Sequence, residues 1–206
     1  MFTGIIESIG KLVSISESGT NKSFWIESSI SSQLKPDQSV SHNGVCLTIE
    51  EVKESSHRVT AIKETLEKTS LDKWRPGMLV NLERCMVLNG RFDGHIVQGH
   101  VDSIATCIRR TDLSGSWEYE FRFPEQFASL VIEKGSICID GTSLTAYNVT
   151  NESLTLSVIP FTFEHTTINS VVAGSIVNIE YDILGKYLLR FKQVPHLTVF
   201  SQSAPH

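Results

Sequence analysis

Cys46, His100, Ser143, Thr145 and Asp182 are among the side chains of this 206-residue chain whose types can do chemistry. As a histidine, His100 could shuttle a proton, or it could simply hydrogen-bond a ligand. Ser143 and Thr145 could supply a hydroxyl nucleophile or hydrogen bonds to a ligand edge. Cys46 is a nucleophile only as thiolate. Buried cysteines are ordinarily inert, so contact is its first reading and catalysis its second. Asp182 could orient another group, although an aspartate at a strand end is more often a turn former. Lys134 could neutralise developing negative charge, a use most exposed lysines do not have.

Other chemistries find no residues to carry them. There is no GxGxxG loop, P-loop, GxSxG elbow or HExxH pair. His95 and His100 lie five apart without an obvious third ligand, so no metal site is expected. A net charge of −5 and the lack of a Lys/Arg run argue against a nucleic-acid partner. Hydrophobic residues make up 40% and charged residues 20%, an ordinary globular balance. No apolar run approaches the length of a membrane span, and MFTGIIESIG lacks the basic and long apolar regions of a signal peptide. The four cysteines, Cys46, Cys85, Cys107 and Cys138, form no CxxC pair. Counting does not exclude two disulfides, but the expectation is a soluble cytoplasmic protein with reduced thiols.

The elements that must position these residues come in duplicate. TGIIESIG at 3–10 matches QGHVDSIA at 98–105, an offset of 95. VSHNGVCLT at 40–48 matches ICIDGTSLT at 137–145, an offset of 97. IKETLEKTSLDKWRPGMLVNLE at 62–83 matches IPFTFEHTTINSVVAGSIVNIE at 159–180, again at 97, with eight of 22 positions identical. Chance gives about one or two. The change of offset requires a two-residue insertion in the second copy, and the loop or hairpin around 111–117 is where it is expected.

Short segments rich in Val, Ile, Thr and aromatics, punctuated by Gly, Ser, Asn and Pro, read as strands. In the first copy they are Lys11–Ile15, Ser23–Glu27, Cys46–Val52, Arg58–Ile62 and Leu79–Glu83. In the second they are Trp117–Phe123, Ser136–Asp140, Ser143–Val149, Leu154–Ile159 and Ser175–Tyr181. This pattern predicts an all-β barrel or sandwich, and a barrel leaves no open edge. Residues 67–75 and 164–172 predict about one helical turn each. Leu184, Tyr187, Leu188 and Phe191 recur at helical spacing, with Lys186, Arg190 and Lys192 on the other face. That helix could pack on its own barrels or join subunits. The tail beyond it reads as frayed.

MFTGIIE, SHNGVCLT, GHIVQGHVD at 94–102, DGTSLT and the two T-x-E-x-T-[ST] segments that run on to VN[LI]E together resemble riboflavin synthase over about residues 1–190. The resemblance implies two tandem six-stranded Greek-key barrels and a short C-terminal α-helix. The corresponding domains are a lumazine-binding barrel over 1–95, a second over 96–183, and an oligomerisation helix with tail over 184–206. It further implies a homotrimer joined through those helices, and conversion of two 6,7-dimethyl-8-ribityllumazine molecules into riboflavin and a ribitylaminouracil without cofactor or metal. The joint reads RFDGH, with Asp93 where a second Gly is expected, a departure confined to the local loop.

Placed on the family, substrate contacts in the first pocket fall at Gly4, Ile5, Ile6, Ser39, Cys46, Leu47, Thr48, and the run Thr60, Ala61, Ile62, Lys63, Glu64 and Thr65. Those in the second fall at Gly99, His100, Val101, Lys134, Ser143, Leu144, Thr145, and the run Ile159, Pro160, Phe161, Thr162, Phe163 and Glu164. Gly4 and Gly99 are expected to let backbone approach the ligand ring. Phe161 could border the ligand or fill core. Positions that differ between copies, Ile5/His100, Cys46/Ser143, Cys85/Asp182 and Asp37/Lys134, make the second pocket the chemically richer one. A non-catalytic lumazine- or flavin-binding antenna of the same fold is the alternative. A β-rich interaction module without a ligand is a more distant one.

Overall fold

Alternation of apolar and polar residues drives the architecture. In β4 (Val45–Lys53), Val45, Leu47 and Ile49 are buried while Thr48 and Glu50 face out. A strand with one apolar face must bury it against other strands. Here six strands do so by closing on themselves. β1 (Ser8–Ser18), β2 (Asn21–Glu27), β3 (Ser39–His42), β4, β5 (Ser56–Ala61) and β6 (Leu79–Arg84) form a closed antiparallel barrel in the order β1-β2-β5-β4-β3-β6. β7 (Ser103–Asp112), β8 (Trp117–Arg122), β9 (Ser136–Ile139), β10 (Thr142–Tyr147), β11 (Ser153–Val158) and β12 (Ile176–Tyr181) repeat that order. β3, β4 and β5 follow one another, and β2 lies beside β5, which is Greek-key connectivity. The computed structural model describes Met1 to Val194, so the expected frayed tail lies outside the described residues.

Two strands, β3 and β7, were not among the expected segments; the others agree within one to three residues at each end. The helical turns expected within 67–75 and 164–172 are present as 3-10 turns, and a short helix precedes each. α1 (Lys63–Lys68) and α2 (Pro160–His165) precede 3-10 turns at Ser70–Lys73 and Thr167–Ser170. Pro160 starts α2 because its missing N–H costs nothing in a first turn. Thr69 and Thr166 end each helix and cap the next turn, each accepting from the N–H two residues on.

The two-residue insertion is not in the 111–117 hairpin. Leu12 pairs with Ile26 and Cys107 with Phe121, so both strands of the hairpin keep the offset of 95. Ile26 faces His57 and Phe121 faces Leu154, so β11 is already at 97. The extra residues therefore lie between β8 and β9, where the 3-10 segment Glu125–Leu130 replaces the shorter Ser31–Gln33.

The barrels meet through paired, reciprocal contacts. Asn81 Nδ2 donates to the Asp140 carbonyl at 2.9 Å, and Asn178 Nδ2 to the Asn43 carbonyl at 2.8 Å. The Asn81 side-chain oxygen accepts from Thr167 N–H, and that of Asn178 from Ser70 N–H. Each barrel's β6 or β12 thus grips the other barrel's turn. Between them Gly44 and Gly141 pack back to back. A Cβ on either would come within 2.8 Å of the other's nitrogen. Both belong to two-residue hairpin turns, Asn43-Gly44 and Asp140-Gly141, with positive φ throughout.

α3 (Ile183–Gln193) follows β12 at once, with Asp182 as N-cap accepting from Leu184 N–H. Its apolar stripe does not cover its own barrels. Leu184, Tyr187, Leu188 and Phe191 are 59–70% exposed. Lys186, on the face opposite that stripe as expected, turns inward and pairs with Asp102 at 2.6 Å. A charged pair holds the first turn down, and the apolar face points away.

Copy differences set two opposed pH dependences. In the first barrel His42 and His57 are fully buried, with their Nε2 atoms 2.9 Å apart, and His57 Nδ1 meets Ser31 Oγ at 2.8 Å. The second barrel has Ile139 and Leu154 there. Burial, and for His42 the neighbouring His57, holds both imidazoles well below their usual range. The unfolded chain therefore binds protons first, and stability should fall as pH drops below about 6.5. The double change His42→Ile with His57→Leu should flatten that acid limb in chemical denaturation at pH 7 and pH 5. At the seam, burial pushes the Asp140 carboxyl up to about 7, although Asn178 N–H donates to it. The native state then keeps a proton that the unfolded chain has lost between pH 4 and 7, so this group weakens the fold as pH rises. Asn43 fills the matching position without charge. Asp140→Asn should raise stability at pH 8 by about 1–4 kcal/mol and change little at pH 4.5; equal gains at both would refute the assignment.

Candidate active site

The N-terminal segment of each repeat leaves its own barrel and lies against the other. Phe2 bridges Val97, and both are fully buried beside Cys138 and Cys46. Glu83, at the end of β6, accepts from Thr3 N–H and Oγ1 at 2.7 Å each and from Gly4 N–H at 2.9 Å. Glu180, at the end of β12, accepts from the N–H groups of Gln98, Gly99 and His100 at 2.7–3.0 Å. Burial pushes both carboxyls up, against the pull of these donors. The far sides of the same segments bond across the seam. The Gly4 carbonyl accepts from Ser143 N–H at 2.7 Å, and the Gly99 carbonyl from Cys46 N–H at 2.9 Å.

This arrangement explains the two glycines differently from the expectation. A Cβ on Gly4 would lie 2.6 Å from Ser143 Cβ, and one on Gly99 2.6 Å from Cys46 Cβ. Both have φ of +79°. What each glycine lets come close is the opposite barrel's strand. The matched pairs read from the offsets hold equivalent places in the two barrels: Gly4 with Gly99, Cys46 with Ser143, and Asp37 with Lys134, whose N–H groups donate to Ile49 and Ala146 carbonyls respectively.

The other expected contacts divide. Thr48 and Thr145 are exposed on the outer faces of β4 and β10, with Cys46 and Ser143 two residues before them. Leu47 and Ala61 are core residues, and Leu144 packs against the second core. Their side chains point away from that outer face. Ile5, Ile62, Ile159 and Phe161 are 46–67% exposed. Ile6, Thr60, Thr65, Val101 and Thr162 are half-buried, while His100, Lys63, Glu64, Pro160 and Glu164 are exposed. Lys63 and Glu64 pair within α1 with Glu67 and Lys68. Thr60 Oγ1 bonds Ser23 Oγ at 2.8 Å. Phe163 is sandwiched between Trp117, stacked at 3.5 Å, and the Arg110 guanidinium at 4.9 Å. It builds barrel wall, whereas Phe161 lies outside against His165. Lys134 is exposed at a left-handed turn with its ammonium over Tyr147.

A cleft of about 740 Å³ opens at the first barrel, lined by Ile5, Ile6, Ser39, Arg84, Cys85 and the 86–93 joint among others. Asp93 is part of that lining. In the second barrel Tyr181 stands where Arg84 does, and α3 lies against Asp102 and Leu130. Cys46 is half-buried, and burial pushes its thiol up despite nearby Ser39. A protonated thiol at neutral pH favours contact over nucleophilic attack.

One residue outside the expected set stands in the site. His95 Nδ1 lies 2.7 Å from Ser143 Oγ. The sequence offers it only as a metal ligand, and its place in GHIVQGHVD beside His100 is the available signal. The carboxylates Glu83 and Glu180 and the amides Asn81 and Asn178 were also missed as positioning groups, although their identity in both copies marked them.

The lumazine-binding domain model matches residues 3–85 and again 98–182. A riboflavin synthase of Bacillus amyloliquefaciens is 39% identical over 204 residues, 98% of this chain and 95% of that protein. One from Actinobacillus pleuropneumoniae is 40% identical over 192 residues, 93% of this chain and 89% of that protein. The fold is shared with the solved structure of LumP complexed with 6,7-dimethyl-8-(1'-D-ribityl) lumazine, with TM-score 0.80 over 88% of this chain and 99% of that one, at 18% identity. Two matched domains and near-full-length identity with synthases leave one conclusion: this chain belongs to the riboflavin synthase family of duplicated lumazine-binding-domain proteins.

Proposed function

We propose that the protein is a riboflavin synthase, a transferase that dismutates two molecules of 6,7-dimethyl-8-ribityllumazine. A four-carbon unit passes between them to give riboflavin and 5-amino-6-(D-ribitylamino)uracil. The observation that carries this is near-full-length identity of 36–40% to synthases from bacteria and a yeast. That level of likeness outweighs the antenna reading, for which the solved LumP structures at 18–20% identity speak to fold alone.

The chemistry suits a duplicated barrel. Two identical substrates must take unequal roles, and two related sites can hold them as a pseudo-symmetric pair. Holding both in reacting geometry is worth roughly 7–11 kcal/mol of barrier. One substrate must lose a proton from its C7 methyl group, and the other must accept an addition. We assign His100 to proton transfer, Ser143 and Thr145 to hydroxyl contacts or addition, Asp182 to orienting a neighbour, and Cys46 to contact from the first site. The outward-facing Thr48 and Thr145 are exposed enough to meet a second subunit, with Cys46 and Ser143 half-buried beside them. The solvent-facing stripe of α3 supports a homotrimer in which the first barrel of one subunit faces the second barrel of its neighbour. No cofactor is needed, and a cytoplasmic setting fits a biosynthetic enzyme with free thiols.

Purified protein given only the lumazine should yield one riboflavin for every two substrates consumed. Tight binding without turnover would instead indicate an antenna, and no binding would overturn the reading altogether. Within the enzyme, His100→Ala, Ser143→Ala and Asp182→Ala should each lower kcat at least tenfold, and Ile5→Ala less than threefold. Equal losses at all four positions would show that the second site is not the chemically richer one. Sedimentation should give a trimer that Leu188→Glu with Phe191→Glu dissociates, with activity lost.

A further inference from the structure

We infer that His95 is the positioning residue for Ser143: its imidazole holds the serine hydroxyl in one orientation toward the second site. The inference rests on the synthase reading and supplies a part that the site lacked.

Ser143 is fixed at two atoms. Its N–H donates to the Gly4 carbonyl at 2.7 Å, and its Oγ lies 2.7 Å from His95 Nδ1. His95 is held in turn. Its N–H donates to the Thr3 carbonyl at 3.1 Å, and only 8% of its surface is exposed. The preceding Gly94 is pressed against both repeats; a Cβ there would sit 3.1 Å from Ser143 Cβ and against the Thr3 carbonyl oxygen. The backbone at His95 is therefore fixed against the seam, and the nearly buried ring is held beside Ser143. A free serine hydroxyl samples three staggered rotamers and shares its proton with water. One locked to a nearly buried ring presents a single face to whatever lies against β10.

The arrangement belongs to one repeat only. The matching side chain in the other copy is Cys46. Among the described residues no histidine hydrogen-bonds its thiol, which packs instead against Phe2, Val97 and Cys138. Burial lowers the His95 imidazole below its ordinary value, with the Asp182 charge pulling the other way. A neutral ring at neutral pH keeps one nitrogen as acceptor. Two sites built on one plan thus differ in whether the strand's hydroxyl or thiol is oriented.

The test is steady-state kinetics with the lumazine on the full chain. His95→Ala should lower kcat about 10–100-fold with KM within threefold. Adding Ser143→Ala to it should cause no further loss, because both act through one hydroxyl. His95→Asn, whose amide reaches the Nδ1 position, should recover kcat to within about fivefold of the parent. His95→Gln, whose amide extends past it, should not. If His95→Ala fails to fold, the Asn and Gln pair alone decides. Full activity in His95→Ala, a loss confined to KM, multiplicative losses in the double variant, or equal activity of the Asn and Gln variants would each overturn the inference. An inactive parent protein would instead strike at the synthase reading itself.

Discussion

Two buried carboxylates hold this molecule in its working form. Glu83 and Glu180 each collect backbone N–H groups from a segment that would otherwise be a loose connector. An ionised carboxylate accepting several N–H groups is among the stronger contacts a protein can make. It also has to be complete, because a buried charge left without donors is costly. With those segments pinned, their carbonyls face outward across the seam and can accept from Cys46 and Ser143. Remove the carboxylate and the segment, the seam and the strand carrying the reactive groups lose their common reference.

The reciprocity of the contacts follows from duplication. The seam contacts that Gly4 and Asn81 make from copy one have partners running back from Gly99 and Asn178, as in an isologous dimer. Asn81 and Asn178 show this most plainly, since each satisfies a carbonyl and an N–H in the opposite copy. Symmetry of this kind is useful for binding two identical molecules. It is an obstacle to giving them different fates. The chain resolves it by changing side chains while keeping backbone. His100 stands where Ile5 does, Ser143 where Cys46 does, and Asp182 caps a helix where Cys85 lies beside an open cleft. The joint between the repeats adds His95, which reaches Ser143 alone.

Most of the barrel architecture was legible in the residue pattern, because period-two alternation and turn residues are local signals. β3 was missed since its four residues, SVSH, include two serines and a histidine; His42 is buried by pairing with His57, a contact 15 residues away. β7 was missed because RRTD follows its apolar start and is half-exposed. The windows 67–75 and 164–172 hold the 3-10 turns but not most of α1 and α2, whose start is set by Ile62 and Ile159 leaving the barrel rather than by an apolar stripe. The insertion was misplaced because the hairpin looked longer than it is; only strand pairing shows that both hairpin arms keep the same offset.

Read alone, the sequence determined the duplication, the β class, the matched positions and the family, because all of these depend on residue types at fixed spacing. It also determined which positions break the symmetry. Tertiary structure decided what the conserved-looking residues of the two copies are for. Gly4 and Gly99 read as room for a ligand, yet the space is taken by the opposite strand. Asn81, Asn178, Glu83 and Glu180 read as strand ends, yet they clamp the seam. His95 read as an orphan ligand, yet it lies on Ser143, 48 residues away. Lys186 reads as a charge opposite the apolar stripe, and only its pairing with Asp102 shows that this face turns inward and leaves the apolar face of α3 to solvent. Each of these depends on contacts between segments tens of residues apart, and spacing along the chain carries no record of which distant group will meet a given donor.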